Sequence, residues 1–236
     1  MAHMRILGWL LAALLSVILA VTLWDRSRRE PVADPVMVLV NQVRTRALLD
    51  HERRLTVWYR SCPEVPGLNP EVFVLWPAVL RYTLRLDAAQ IQLTGTTLSI
   101  KMPTISSEEP SVPSDLTQFI ANNPFWNLES NASLGAREMR RATPIARYLS
   151  SYFLQYDPTL RDYFDDELRA YLKGITGALG ITVTDIEVSI PEPKQAAVPM
   201  LPLELCEGSS AVANGVPFAR DVAGELIRVL PRQAGP

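Results

Sequence analysis

The stretch ILGWLLAALLSVILAVTLW, Ile6 to Trp24, holds 19 residues without a single charge. As a helix it would be about 28 Å long, close to the roughly 30 Å hydrocarbon core of a bilayer. No other feature constrains the chain so strongly, because a run of this length needs apolar surroundings from end to end. Trp9 and Trp24 stand near its ends, where interfacial aromatics collect. The run exceeds the about 7 to 15 residues of a signal-peptide apolar region, and no A-x-A step follows it. The pattern predicts an uncleaved single-pass helix at 6–24, with a cytoplasmic tail at 1–5 and a juxtamembrane spacer at 25–35.

Two signals oppose each other on orientation. Arg26, Arg28 and Arg29 follow the apolar run while only Arg5 and the α-amine precede it, which by the positive-inside rule places the domain in the cytoplasm. The very short N-terminal tail is that of a signal-anchor whose C-terminal part is exported. The expectation adopted is an extracytoplasmic domain. Cys62 and Cys206 either form one bridge in an oxidising compartment or sit as two small apolar side chains.

Beyond the anchor, 23 Lys+Arg against 25 Asp+Glu leave a formal charge of -2, so the chain lacks the basic field that draws nucleic acid. Val36, Leu39, Val40, Val43, Ala47 and Leu48 repeat at helical spacing after Asp34 and Pro35. HERRLTVWYRSC alternates as a half-buried strand, and EVFVLW reads as a strand covered on both faces. In RYTLRLDAAQIQLTGTTLSIKMP, both flanks have the period of two, and DAAQIQLTGT connects them with Gly95 at its bend.

A short helix is expected at Asp115 to Ala121 behind Ser114, and Ala136 to Arg141 reads as another short helical piece. Thr143 and Pro144 read as the start of a helix carrying Ile145, Tyr148, Leu149, Tyr152 and Tyr156; Asp157 and Pro158 repeat that signal for the next one, which Gly180 closes. ITVTDIEVSIP resumes alternation. These elements predict an α+β fold at 36–190, a mainly antiparallel sheet with packed helices. A Pro-rich linker at 191–217 then leads to an amphipathic helix and tail at 218–236, with Phe218, Val222, Leu226 and Val229 on one face.

The order of these motifs resembles a family of membrane-anchored bacterial proteins with no assigned activity. The matching residues are Leu86, Asp87, Ala88 and Ile91, then Ile100, Met102 and Pro103, and at the far end Leu179, Gly180 and Val183, within Pro35 to Pro191. The chain departs from the family pattern in the polar stretch after Met102, in the Arg-rich flank of the anchor and in the tail past Pro191. The resemblance implies a membrane location in a bacterial envelope and one α+β domain, and nothing about chemistry.

The residues themselves offer little chemistry. The chain holds none of the common nucleotide-binding, serine-hydrolase or zinc-protease motifs. Neither cysteine has a histidine near it for a zinc site, and no metal or cofactor is expected. His51 reads as part of a solvated helix-to-strand turn. Asp165, Asp166 and Glu167 read as a solvated helix face with Arg161 and Arg169 at i,i+4 spacing, and Glu108 and Glu109 as loop charges. Asp87 reads as the residue that closes a strand and accepts backbone N–H groups.

What is left is a surface for partners. Phe125 and Trp126 in NNPFWN, together with Trp58 and Trp76, are candidates to line an apolar groove, and Phe218, Val222 and Leu226 are candidates to dock an envelope protein or a second copy. The sequence reading is an interaction or scaffolding module; the alternative is a ligand-binding or enzymatic domain using Asp87 or the acidic helix face.

Overall fold

Asp34 and Pro35 start a helix as their order predicts, with the Asp34 carboxylate accepting the Val36 N–H at 2.9 Å. In the computed structural model, which describes residues 34–63, 70–122, 130–193, 201–223 and 225–229, this helix α1 is Pro35–Thr45. The Ile6–Trp24 run and its flanks lie outside the described residues. Among those that are described, no helix is long and apolar enough to cross a membrane. Contacts divide the chain into Met1–Asn41 and Gln42–Pro236, and the architecture that follows is that of the second unit.

Ala47, at φ 59°, turns the chain into β1, Leu48–Ser61. Strand β2, Glu71–Arg85, pairs with it antiparallel from Leu48↔Arg85 to Ser61↔Val72. The alternation has a plain physical consequence. Leu49, Leu55, Val57 and Tyr59 fall on one face opposite Leu84, Ala78, Trp76 and Val74, and all eight are buried. Each such aliphatic side chain stabilises by about 1.5–3 kcal/mol when removed from water.

EVFVLW and RYTLRL are therefore one strand running through Pro77. Val79 exchanges backbone hydrogen bonds with Ser111, on the side of β2 away from β1, and by the parity of the ladder Pro77 turns its missing N–H to that same side. There β6, Gln118–Asn122, covers only Glu71 to Leu75, and β5, Ser106–Ser107, only Tyr82 and Thr83. Pro77 falls in the gap.

The same region corrects the helix expected at 115–121. Ser114–Leu116 form one 3-10 turn, and the next residues join the sheet as β6 because edge pairing with β2 satisfies their backbone groups.

A second, three-stranded sheet holds β3, Gln90–Thr94, β4, Thr97–Lys101, and β7, Asp185–Ser189, with β4 and β7 parallel. The connection DAAQIQLTGT thus contains a strand of its own, and Gly95 at φ +60° makes its bend.

Helix α2 is Asn131–Tyr156, capped by the Ser130 hydroxyl on the Ser133 N–H at 3.1 Å. It does not begin at Thr143. Leu134, Glu138, Ala142, Ile145, Leu149 and Tyr152 form one buried stripe along it, and that continuous face outweighs the roughly 3 kcal/mol that an interior proline such as Pro144 costs. Asp157 then caps α3, Pro158–Ala178, by accepting the Thr159 N–H at 3.0 Å. Beyond it, Ile181 N–H bonds Thr176 C=O and Gly180 takes φ +66°, the left-handed helix stop.

The C-terminal region differs most from expectation. Its stretch at 201–217, read as linker, buries Leu201, Leu203 and Cys206 and supplies β8, Ser210–Ala213. Over the described part of 218–236, where a helix is expected, the chain instead forms a pair of strands, β9, Val216–Val222, and β10, Glu225–Arg228. Asn214 and Gly215, at φ 48° and 82°, form the β8/β9 turn, and Ala223 at φ 56° begins the next one. These left-handed turn residues favour hairpins over a helix. The large sheet runs β10-β9-β8-β1-β2-β5, with β6 also on β2. The whole is α+β, a curled and mainly antiparallel sheet with helices, as the sequence predicts.

Candidate functional site

A carboxylate sits in the middle of the buried face. Glu138, 1% exposed, accepts the Ser61 hydroxyl at 3.0 Å, the Tyr59 hydroxyl at 3.2 Å and the Arg141 guanidinium at 2.9 Å. Arg141 also reaches Glu204 at 2.6 Å. Burial, followed by the charge and hydrogen bond of Glu138, pushes the Tyr59 hydroxyl well above its usual range. Each oxygen of Glu138 is engaged, so this is a closed network joining α2, β1 and the 201–207 segment rather than a reactive group.

Cys62 and Cys206 close a disulfide beside it, spanning 144 residues. It fastens the end of β1 to the segment that carries Glu204.

At the other end of the inner face, Arg53 bonds Asp157 at the α2/α3 joint and lies 4.0 Å over the Phe153 ring. His51 belongs to β1, not to a solvated turn, and its ring centroid is 4.2 Å from that of Tyr163. It points inward because strand parity from Leu49 places it there. Burial and the neighbouring Arg53 hold its pKa below the ordinary histidine value. Burial works against Asp157 ionising, yet hydrogen bonds from Thr159 and Arg53 hold it below the usual carboxylate range.

Asp87 is exposed at the turn after β2, where Arg85 grips it with two bonds of 3.1 and 2.6 Å. The Arg85 hydrogen bond and, to a smaller extent, the Ala88 N–H lower its pKa. It closes a joint. On α3, Arg169 pairs with Asp165 at 2.7 Å as its spacing predicts, whereas Arg161 turns to the Ile190 carbonyl, also at 2.7 Å. Glu109 pairs with Arg147.

The opposite face of the large sheet is different. Trp58 and Phe73, each 37% exposed, stack with centroids 6.2 Å apart. Cross-strand register sets Ile120, 72% exposed, opposite Phe73, and Val212 opposite Trp58. Trp58, Phe73 and Ile120, on β1, β2 and β6, thus lay out one apolar strip that ends at the buried Val212 of β8, and the Arg60–Glu71 ion pair sits within it. Trp76 does not join, because its parity buries it completely.

Phe125 and Trp126 lie outside the described residues. Phe218, Val222 and Leu226 share no single face. Phe218 is buried with its ring 6.4 Å from that of Tyr148, and Val222 is exposed. Leu226 lines a cleft of about 520 Å³ with Leu203, Glu204, Glu207 and Asp221 beside the disulfide. Sequence reasoning missed Glu138, whose signal was an acid at a core position of an apolar helical stripe. It also missed the partnership of Trp58 with Phe73 and Ile120, which only sheet register creates. No protein-family model, curated protein or solved structure matches the chain.

Proposed function

We propose that the chain is a single-pass membrane-anchored interaction or scaffolding module of a bacterial envelope, with its α+β domain on the extracytoplasmic side. The observation that carries the reading is the apolar strip of Trp58, Phe73 and Ile120 on the solvent face of the sheet. Exposed aromatic clusters of this kind serve as anchors in protein interfaces. Val222, exposed on the β9/β10 hairpin, offers a second, smaller apolar point. The uncharged Ile6–Trp24 run supports the anchor, and the Cys62–Cys206 bridge supports an oxidising compartment. A site built on Asp87 has lost its basis, since that carboxylate is exposed and held by Arg85.

The test is affinity purification of the detergent-solubilised full chain beside Trp58→Ser/Phe73→Ser, a surface change that leaves the core intact. A specific partner present with the unchanged chain and absent with the variant supports the reading. Identical captures from both, or none from either, overturn it. An alkaline-phosphatase fusion at the C-terminus reports the orientation, and an inactive fusion refutes the extracytoplasmic placement.

A further inference from the structure

Strand β1 is paired along its full length on one side and only in part on the other. Toward β2 all of Leu48 to Ser61 is in register. On the opposite side, among the described residues, β8 meets only Val57 and Trp58, and Leu205 bridges Ser61. Asn214 closes that pairing, donating to the Arg54 carbonyl at 3.0 Å and accepting the Thr56 N–H at 2.7 Å. Ladder parity then directs the backbone groups of Asp50 and Glu52, and the Arg54 N–H, outward along an uncovered edge. Edges of this kind are templates for another strand.

We infer that this edge pairs with the same edge of a second copy, antiparallel about a two-fold axis at Glu52. The inference rests on the reading of the chain as an interaction module and identifies one partner as the chain itself. Parity allows only registers that differ by two residues, and charge separates them. Centring on Glu52 sets Asp50 opposite Arg54 of the second copy, and Arg54 opposite its Asp50, on the outer face. The two Glu52 residues meet on the axis, and each is held by its own Arg81 at 2.9 Å.

Centring on His51 instead would set Asp50 against Glu52 twice, and like charges directly opposite are destabilising. Centring on Arg53 would set Asp50 of the second copy opposite Thr56, whose N–H and C=O Asn214 already holds, and carry two more strand residues past it. Centring on Glu52 brings only Leu48, the first residue of β1, to that position. On the inner face the favoured register sets Leu49 opposite Leu55 and His51 opposite Arg53, whose guanidinium Asp157 and the Phe153 ring already hold. A two-fold pairing of this type is self-complementary by construction. The bilayer anchor would hold the copies in one plane.

The test measures the mass of the full chain in detergent by sedimentation, with Asp50→Arg, Arg54→Asp and the double exchange, all checked for folding by circular dichroism. The unchanged chain should be dimeric, each single reversal should weaken the dimer by roughly tenfold by placing like charges opposite each other twice, and the double exchange should restore it. A monomeric unchanged chain, single reversals without effect, or a folded double exchange as weak as the singles would each overturn the inference. Partner capture that depends on Trp58 and Phe73 can still succeed in any of those cases, so failure here is distinguishable from failure of the module reading.

Discussion

Arg141 meets Glu138 at 2.9 Å, one turn apart on α2, with Glu138 1% exposed and the arginine reaching outward to Glu204. Breaking such a pair from one side leaves a buried charge without a partner, which costs about 3–5 kcal/mol, whereas replacing both members by apolar residues of similar volume is often neutral. Arg141→Ala should therefore lower the unfolding free energy by about that amount, and Glu138→Leu/Arg141→Met by much less. Urea unfolding of the three chains checks the order. Equal losses in both variants would mean that the pair does not act as a unit.

The Cys62–Cys206 bridge encloses a loop of 144 residues. Chain entropy alone assigns such a closure on the order of 5 kcal/mol, with measured losses commonly about 2–5. Cys62→Ser/Cys206→Ser should lose stability in that range, and the unchanged chain should approach it when reduced. Guanidinium unfolding with and without dithiothreitol reads both. If the midpoint does not move with reductant, the bridge contributes nothing.

The chain contains two histidines, His51 and His3, so the ordinary histidine range isolates one group in the domain. Burial and Arg53 lower the folded pKa of His51 from 6.5. As pH falls below 6.5 the unfolded chain binds the proton and the folded chain does not, so stability falls until the folded pKa is passed. Asp157, also lowered from its ordinary 3.8, acts in a separate window. Its contribution is present above 3.8 and lost as pH falls through the folded value. His51→Gln should flatten stability below pH 6.5 and leave the acid limb, while Asp157→Asn should reduce the acid limb and, by removing a charge that raises the His51 pKa, deepen the upper window. Thermal melts across pH decide it, and an unchanged slope in His51→Gln refutes the upper window.

Local signals and non-local ones were not equally legible. Strand alternation from Leu55 to Tyr59 and from Leu98 to Met102, the Asp157-Pro158 helix start and the Gly180 stop each depend on neighbours in the chain, and each reads correctly. Pro144 reads locally as a helix start, and the apolar stripe from Leu134 to Tyr152 overrides it. In the tail, Asn214-Gly215 between apolar residues is a strong hairpin signal, and it outweighs the helical spacing from Phe218 to Val229. His51, Trp58 and Trp76 differ in the structure only through parity and register. An inward histidine, an exposed tryptophan and a buried one cannot be sorted until β1 and β2 are aligned, and the candidate surface depends on that alignment.

That contrast between tryptophans makes the last prediction. Trp76 is fully buried on the inner face, and Trp58, paired opposite its neighbour Leu75, is 37% exposed against Phe73. Removing a buried aromatic costs about 3–5 kcal/mol, because the lost transfer energy is joined by that of the cavity left behind. A half-exposed ring leaves no sealed cavity, and its stacking adds only about 0.5–1.5 kcal/mol. Trp76→Ala should therefore come close to unfolding the domain, whereas Trp58→Ala should shift the denaturation midpoint slightly and spare the far-ultraviolet spectrum. The second variant matters for function, since a loss of partner capture in a chain so little destabilised can only come from the surface. Comparable destabilisation by both substitutions would show that Trp58 serves the core, and the outer strip would then lose its standing as an interaction face.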